Sequence, residues 1–377
     1  MLTRSPERQA AAAAFSAAAA AAAQARAHIA LSVATCFAEA RLGAEVAGLL
    51  MSRAFYSDPQ LWGVFKSHQG PRGRTRLMYA AMEGDVERVR FLVDVGAELD
   101  ACTAWDADDM RACGTALMLA SRAGHVAVVR LLVERGSNLN AARIGDGITA
   151  LMLTSEFGSD SHLQIARDIT LAGANVNMVI ADVGWSALMS ASKFGNLEIA
   201  EFLLEEGALI NAACTYGFTA LMSASASGHP DVVELLVSRG AFVDAATTDC
   251  GGTALMWACL ESGDLQCVRL LLQAGANVEA ERVDNHFRPL MMACQEGHLE
   301  VCICLLVEGG ADINYTLPGS GWTMLMSACL QGHLDIVRFL LERDIDVNQA
   351  KTDDGKVALM AACILSAAHP AVHALLA

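Results

Sequence analysis

The chain has 377 residues, of which 54% are hydrophobic and only 18% charged, with a formal net charge of −16. Outside one alanine tract it holds no charge-free apolar run of about eighteen residues, so no transmembrane helix is expected, and the composition is that of an alanine- and leucine-rich helical array. Through residue 76 there are nine Lys/Arg against four acids, and beyond it 17 against 38; the acidic part repels phosphate backbones, which argues against direct nucleic-acid binding and favours a partner with a basic patch or peptide.

In chain order, residues 1–28 form an alanine-rich low-complexity segment. Alanine has the highest helix propensity, so this segment is expected to be helical or disordered. An arginine-bearing, acid-poor leader would suit organelle targeting, but Glu7 and the lack of a two-faced pattern weigh against it. Residues 29–72 carry Leu31, Val33, Phe37, Leu42, Val46, Leu49 and Leu50 at near-helical spacing, which predicts an N-terminal helical cap. Within it, Ser57-Asp58-Pro59-Gln60-Leu61-Trp62 is similar to the end of an F-box. That resemblance implies a ubiquitin-ligase docking segment over residues 43–65, although the Leu-Pro opening of that module is missing.

From residue 73 a single motif recurs. Leu77, Leu117, Leu151, Leu188, Leu221, Leu255, Leu290, Leu325 and Leu359 are spaced by 40, 34, 37, 33, 34, 35, 35 and 34 residues. Units of this length cannot bury an apolar face alone and must stack on their neighbours. The fifth, Gly217 to Asp244, shows the plan: a glycine turn, a cap at Thr219, a short apolar helix, a break at Gly228-His229, a second helix and a closing Gly240. Thr75, Thr115, Thr149, Ser186, Thr253 and Thr323 occupy the same cap position, whereas Arg288 and Val357 cannot cap; Pro289 helps the former by presetting φ. The second helices end at Gly96, Gly136, Gly173, Gly207, Gly240, Gly275 and Gly310, as a left-handed C-terminal residue requires.

On these motifs the chain resembles an ankyrin-repeat protein over residues 73–377, with nine repeats and the last truncated. The resemblance implies an all-α solenoid of stacked helix-turn-helix units with projecting hairpin loops, and recognition of proteins through the concave face made by the loops and first helices. One departure is systematic. The family's Thr-Pro-Leu-His is here Thr-Ala-Leu-Met, so the hydrogen bonds of that histidine are expected to be absent and a thioether to pack instead.

The chemistry-bearing residues follow the repeat. Cys259, Cys294, Cys329 and Cys363 recur at one packing position, which favours a reducing cytosol or nucleus over a disulfide framework. His125, His229, His298 and His333 each occupy the Gly-His break and read as turn residues about a repeat apart. Cys302-x-Cys304 lies within a helix, where i and i+2 diverge, and the methionine column flanks the buried leucine. No catalytic motif, metal site or cofactor is expected, and the reading is of a monomeric, non-enzymatic scaffold or adaptor.

The residue before each cap is the best candidate for partner contact. It is Ile148, Trp185, Phe218, Phe287 and Trp322 in repeats 3, 4, 5, 7 and 8, and Trp257, beside the buried leucine of the sixth repeat, is a further candidate. Each ring contacts a partner or covers its neighbour's loop; the sequence leaves both open. Between the first two repeats about six extra residues bring Trp105, Asp106, Asp108 and Asp109 into a longer acidic loop, which reads as a solvated attraction for basic partners rather than a calcium loop. The third repeat gains Ser159-Asp160-Ser161 in its inter-helix turn, and the chain stops at Ala377 within a helix, which predicts a frayed end or a natural protein that continues.

Overall fold

The computed structural model describes residues 74–102, 114–343, 345–350 and 352, and the chain divides into two compact units at Asp146/Gly147. The alanine tract, the cap with its F-box-like end, Trp105 and its aspartates, and the ninth repeat beyond Thr352 lie outside the described residues.

Each described repeat is a pair of antiparallel helices. The first unit holds α1 (Arg76–Glu83) with α2 (Val86–Asp94) and α3 (Ala116–Arg122) with α4 (Val126–Glu134). The second holds α5 (Ala150–Ser155) with α6 (Asp160–Leu171), α7 (Ala187–Phe194) with α8 (Leu197–Glu205), and α9 (Ala220–Ser227) with α10 (Pro230–Ser238). It continues with α11 (Ala254–Trp257) and α12 (Leu265–Gln273), α13 (Pro289–Glu296) and α14 (Leu299–Val307), and α15 (Met324–Gln331) and α16 (Leu334–Leu341). Within each unit the odd-numbered inner helices pack on one another from repeat to repeat, and so do the even-numbered outer ones. No strand occurs among the described residues. Three single bridges, Val179 with Ser186, Ala213 with Thr219 and Thr316 with Thr323, close hairpin loops.

The inner helices begin where the threonines and Ser186 stand, because each hydroxyl accepts from the amide three residues on, at 3.2 to 3.4 Å. That amide belongs to the recurring methionine. The eight described leucines and eight methionines of the motif are each at most 3% exposed, and burying such a side chain is worth about 1.5–3 kcal/mol. The expected loss of hydrogen bonding at the methionine is corrected in two repeats. Met78 Sδ accepts from the Thr75 amide at 3.3 Å and Met118 Sδ from the Thr115 amide at 3.4 Å, so the thioether closes a capping box as well as filling the core.

The histidines do more than turn the chain. Nε2 of His125, His229 and His333 lies 2.8 to 3.0 Å from the carbonyl oxygen of Met82, Lys193 and Gln295 in the preceding repeat, so each ring fastens one repeat to the next. The ring lies against a glycine: a Cβ on Gly195, which has φ +71°, would fall 2.5 Å from His229. Asn196 Nδ2 makes the same bridge to the Ser155 carbonyl and Ser262 Oγ to that of Ser225, both at 2.9 Å.

Two irregularities depart from the regular plan. The extra residues of the third repeat do not enlarge a turn. Ser159 takes the N-cap position and Asp160 and Ser161 become the first residues of α6, which reaches 12 residues with Asp160 at the positive end of the helix. The second irregularity is in the sixth repeat. From cap to closing glycine every other described inner segment with that glycine spans nine residues, as from Thr219 to Gly228, but Thr253 to Gly263 spans ten. The extra residue is absorbed as a π turn, Ala258–Ser262, directly after α11.

Candidate functional site

The pre-cap residues are fixed by the hairpin loops. The carbonyls of Trp185, Phe218, Gly252, Phe287 and Trp322 each accept from an amide across the loop, from Ile180, Cys214, Thr247, Arg282 and Leu317, at 2.9 to 3.0 Å. Successive loops are joined in turn, with the Thr215 amide donating to Val183 O at 2.8 Å and the Thr248 amide to Tyr216 O at 2.9 Å. A side chain at this position therefore starts from a rigid backbone at the edge of the inner-helix face.

Three of the sequence candidates come together there. The rings of Trp185 and Phe218 stack at 6.5 Å with 21° between their planes, and Phe218 meets Trp257 edge-on at 5.2 Å and 68°. All three are half-buried. With Ser223, Ala226 and Ser227 of α9 as its floor, this ladder lines an open groove of about 240 Å³. Lys193 and Glu261, both exposed, stand among its walls; the Lys193 ammonium lies 5.9 Å from the centre of the Trp185 ring. Phe287 has no ring partner among the described residues, Ile148 lies in the third repeat away from these ring contacts, and Trp322 lies in the eighth.

The ladder uses one pair of positions in two ways. In repeats 4 and 8 a tryptophan precedes the cap and a serine follows five residues later: Trp185 Nε1 donates to Ser190 Oγ at 2.9 Å, and Trp322 Nε1 to Ser327 Oγ at 2.6 Å. In the sixth repeat the order is reversed, with Gly252 before the cap and Trp257 five residues on. A Cβ on Gly252 would lie 2.9 Å from Trp257 Nε1, so the glycine makes room for the indole to lie across the loop. The indole N–H is buried there and finds no acceptor, which costs about 1–3 kcal/mol.

The loops of repeats 7 and 8 carry charge instead. Arg288, which has no capping side chain, pairs with Glu279 and with Glu281 at 3.1 Å and lies 3.5 Å from the centre of the Tyr315 ring. Tyr315 donates to Glu281 at 2.6 Å. That bond holds the Glu281 carboxyl below its ordinary range, helped by Arg288, while burial and the neighbouring carboxylate push the Tyr315 phenol up to about 12.

A family model described as ankyrin repeats in three copies matches residues 57–143, 77–180, 151–247, 243–317 and 290–377. The chain belongs to the ankyrin-repeat family. No curated protein matches it. Ankyrin repeats are protein–protein interaction modules, so the chemistry to look for is contact rather than turnover. Among the described residues no three His, Cys, Asp or Glu side chains assemble as a metal site, and no helix is long and apolar enough to cross a membrane. The recurring thiols are packing groups: Cys259, Cys294 and Cys329 are fully buried, and burial pushes Cys329 up to about 12. Two features escaped the sequence reading. The serines five residues after the pre-cap tryptophans were legible as a recurring Trp-x4-Ser, and the π turn as a ten-residue gap where its neighbours have nine.

Proposed function

We propose that this ankyrin-repeat protein is a non-enzymatic adaptor that takes its partner on the loop and inner-helix face of repeats 4 to 6. The observation that carries this is the Trp185–Phe218–Trp257 ladder, three half-buried aromatic rings lining a groove on a rigid backbone. Large amphipathic rings of this kind supply most of the binding energy at protein interfaces. Charge sets the kind of partner. Residues 179–278 contain 11 Asp/Glu against three Lys/Arg. Two of those cations are taken up in ion pairs, Arg239 with Glu201 and Arg269 with Glu308. A basic segment is therefore steered toward this face. The nine described cysteines are all free thiols, which supports a reducing compartment.

The test is capture of partners from lysate by the full chain, beside a variant carrying Trp185→Ala, Phe218→Ala and Trp257→Ala whose fold is checked by circular dichroism. Loss of a specific partner from the folded variant supports the assignment. Retention of the same partners moves the contact surface elsewhere.

A further inference from the structure

Three departures from the repeat pattern fall in the sixth repeat and converge on one groove. Trp257 replaces the serine found at the equivalent inner-helix position of repeats 4, 5 and 8, Gly252 clears the space into which its ring lies, and the inserted residue turns the helix into a π turn that carries Glu261 onto the groove wall. Two of them carry a cost to the fold. The indole N–H is buried without an acceptor, and a π turn interrupts the regular hydrogen bonding of an inner helix. π turns of this kind recur at functional sites, and groups held at a cost to stability mark places where the sequence serves something else.

We infer that the groove receives the cationic side chain of a lysine or arginine from a basic protein segment, held between the aromatic faces and the Glu261 carboxylate. This rests on the adaptor reading and specifies the chemistry of its contact. Three observations point to a cation rather than an apolar side chain. The Trp185 face already holds an ammonium, that of Lys193, at 5.9 Å. Glu261 is exposed, has no ion-pair partner among the described residues and stands on the groove wall, while Asp182 and Asp249 occupy the adjoining loops. Apart from Lys193, the cations of residues 179–278 are engaged with Glu201 and Glu308. Aromatic faces next to an unpaired carboxylate attract an ammonium, the more so once it is desolvated. Lys193 is then the resident competitor: its ammonium occupies the first ring and repels an incoming one, so a bound segment must displace it.

The experiment is a titration of the full chain with two polar peptides of one sequence, the central residue lysine in one and norleucine, its uncharged counterpart, in the other. Binding is read from the indole ¹H–¹⁵N resonances at millimolar peptide, where weak contacts register. The expected result is that the lysine peptide shifts the Trp185 and Trp257 resonances and binds about tenfold tighter than the norleucine peptide. Glu261→Gln weakens it several-fold, and Lys193→Met, which removes the competitor, tightens it. The folding of each variant is checked by its amide spectrum, and neither residue is in the core. Equal or tighter binding of the norleucine peptide, no shift with either, or indifference to both Glu261→Gln and Lys193→Met overturns the cation assignment. If the ladder variants still lose their captured partner in that case, the adaptor reading stands and the groove takes an apolar side chain instead; if they do not, both fail.

Discussion

Repeats 4 to 6 and repeats 7 and 8 share one backbone plan and use it differently at the same edge. In the first group the residues before the cap in repeats 4 and 5 and the inner-helix Trp257 of repeat 6 supply rings that stack from repeat to repeat and leave a groove open. In the second, Arg288 has taken the cap position, and its guanidinium ties Glu279, Glu281 and Tyr315 into a knot beside a cavity of only about 10 Å³. The difference separates two uses of a polar or aromatic loop end. A knot whose charged groups are paired stabilises a loop, whereas a ladder with half-buried faces and an orphaned N–H is organised for something that is not yet there.

The sharpest way to break that contrast is to remove matched tryptophans. Trp257→Ala is expected to weaken the captured partner by about 2–4 kcal/mol while leaving the unfolding midpoint nearly unchanged, because the ring it deletes carries its own unsatisfied donor. Trp322→Ala is expected to do the reverse, lowering stability through loss of the Ser327 bond while sparing the partner. Denaturant titration alongside partner retention reads both, and equal effects of the two substitutions on retention would erase the distinction.

Next in size is deletion of Glu261, which restores the nine-residue spacing from Thr253 to the closing glycine. A regular inner helix should form in place of the π turn, with stability kept to within about 1 kcal/mol and partner capture lost. A large drop in stability would show that the inserted residue serves the fold. Ranked below this are Ser190→Ala and Ser327→Ala. Each leaves an indole N–H unpaired and is expected to cost about 1–3 kcal/mol, whereas Ser223→Ala, whose hydroxyl donates to the Thr219 carbonyl below a phenylalanine, should cost about 0.5 kcal/mol or less.

These sites show where sequence reasoning succeeds and where it stops. The caps, the closing glycines and the buried leucine–methionine column were legible because each rests on local chemistry repeated seven or eight times within the described residues: a hydroxyl before a helix, a residue without Cβ at positive φ, an apolar side chain at one phase of a short helix. Insertions were legible in number but not in place. The spacing of 35 residues that follows Leu255 and the one that follows Leu290 look alike, yet the first hides an extra residue in an inner helix and the second an extra glycine after an outer one, where Leu299 to Gly310 spans eleven residues. A period counts residues, while the cap and glycine landmarks on either side say which element absorbs them. The reach of the histidines to the preceding repeat was hidden for another reason, since a bond to a backbone carbonyl some forty residues away leaves no mark on the carbonyl's own side chain.

The smallest expected effect tests the knot itself through pH. The Tyr315 phenol is raised to about 12 from an unfolded value near 10, by burial first and then by the Glu281 carboxylate that accepts its proton. A raised folded-state pKa means that the protonated phenol is favoured in the native protein, so its stabilisation is complete below about pH 10 and lost as the pH climbs to about 12. Glu281 works in the opposite sense. Its depressed pKa adds stability above the ordinary carboxylate range that disappears as the solution is acidified through the folded value. Because the groups are largely open to solvent, screening holds the phenol's contribution to about 1 kcal/mol or less. Urea unfolding of the protein and of Tyr315→Phe at intervals from pH 7 to 12 should therefore show a small gap that is constant to about pH 10 and closes by about pH 12. Partner binding at the ladder should not follow that curve. A partner affinity that rose and fell with the Tyr315 titration would mean that the knot and the groove act as one surface, and the division between them would have to be withdrawn.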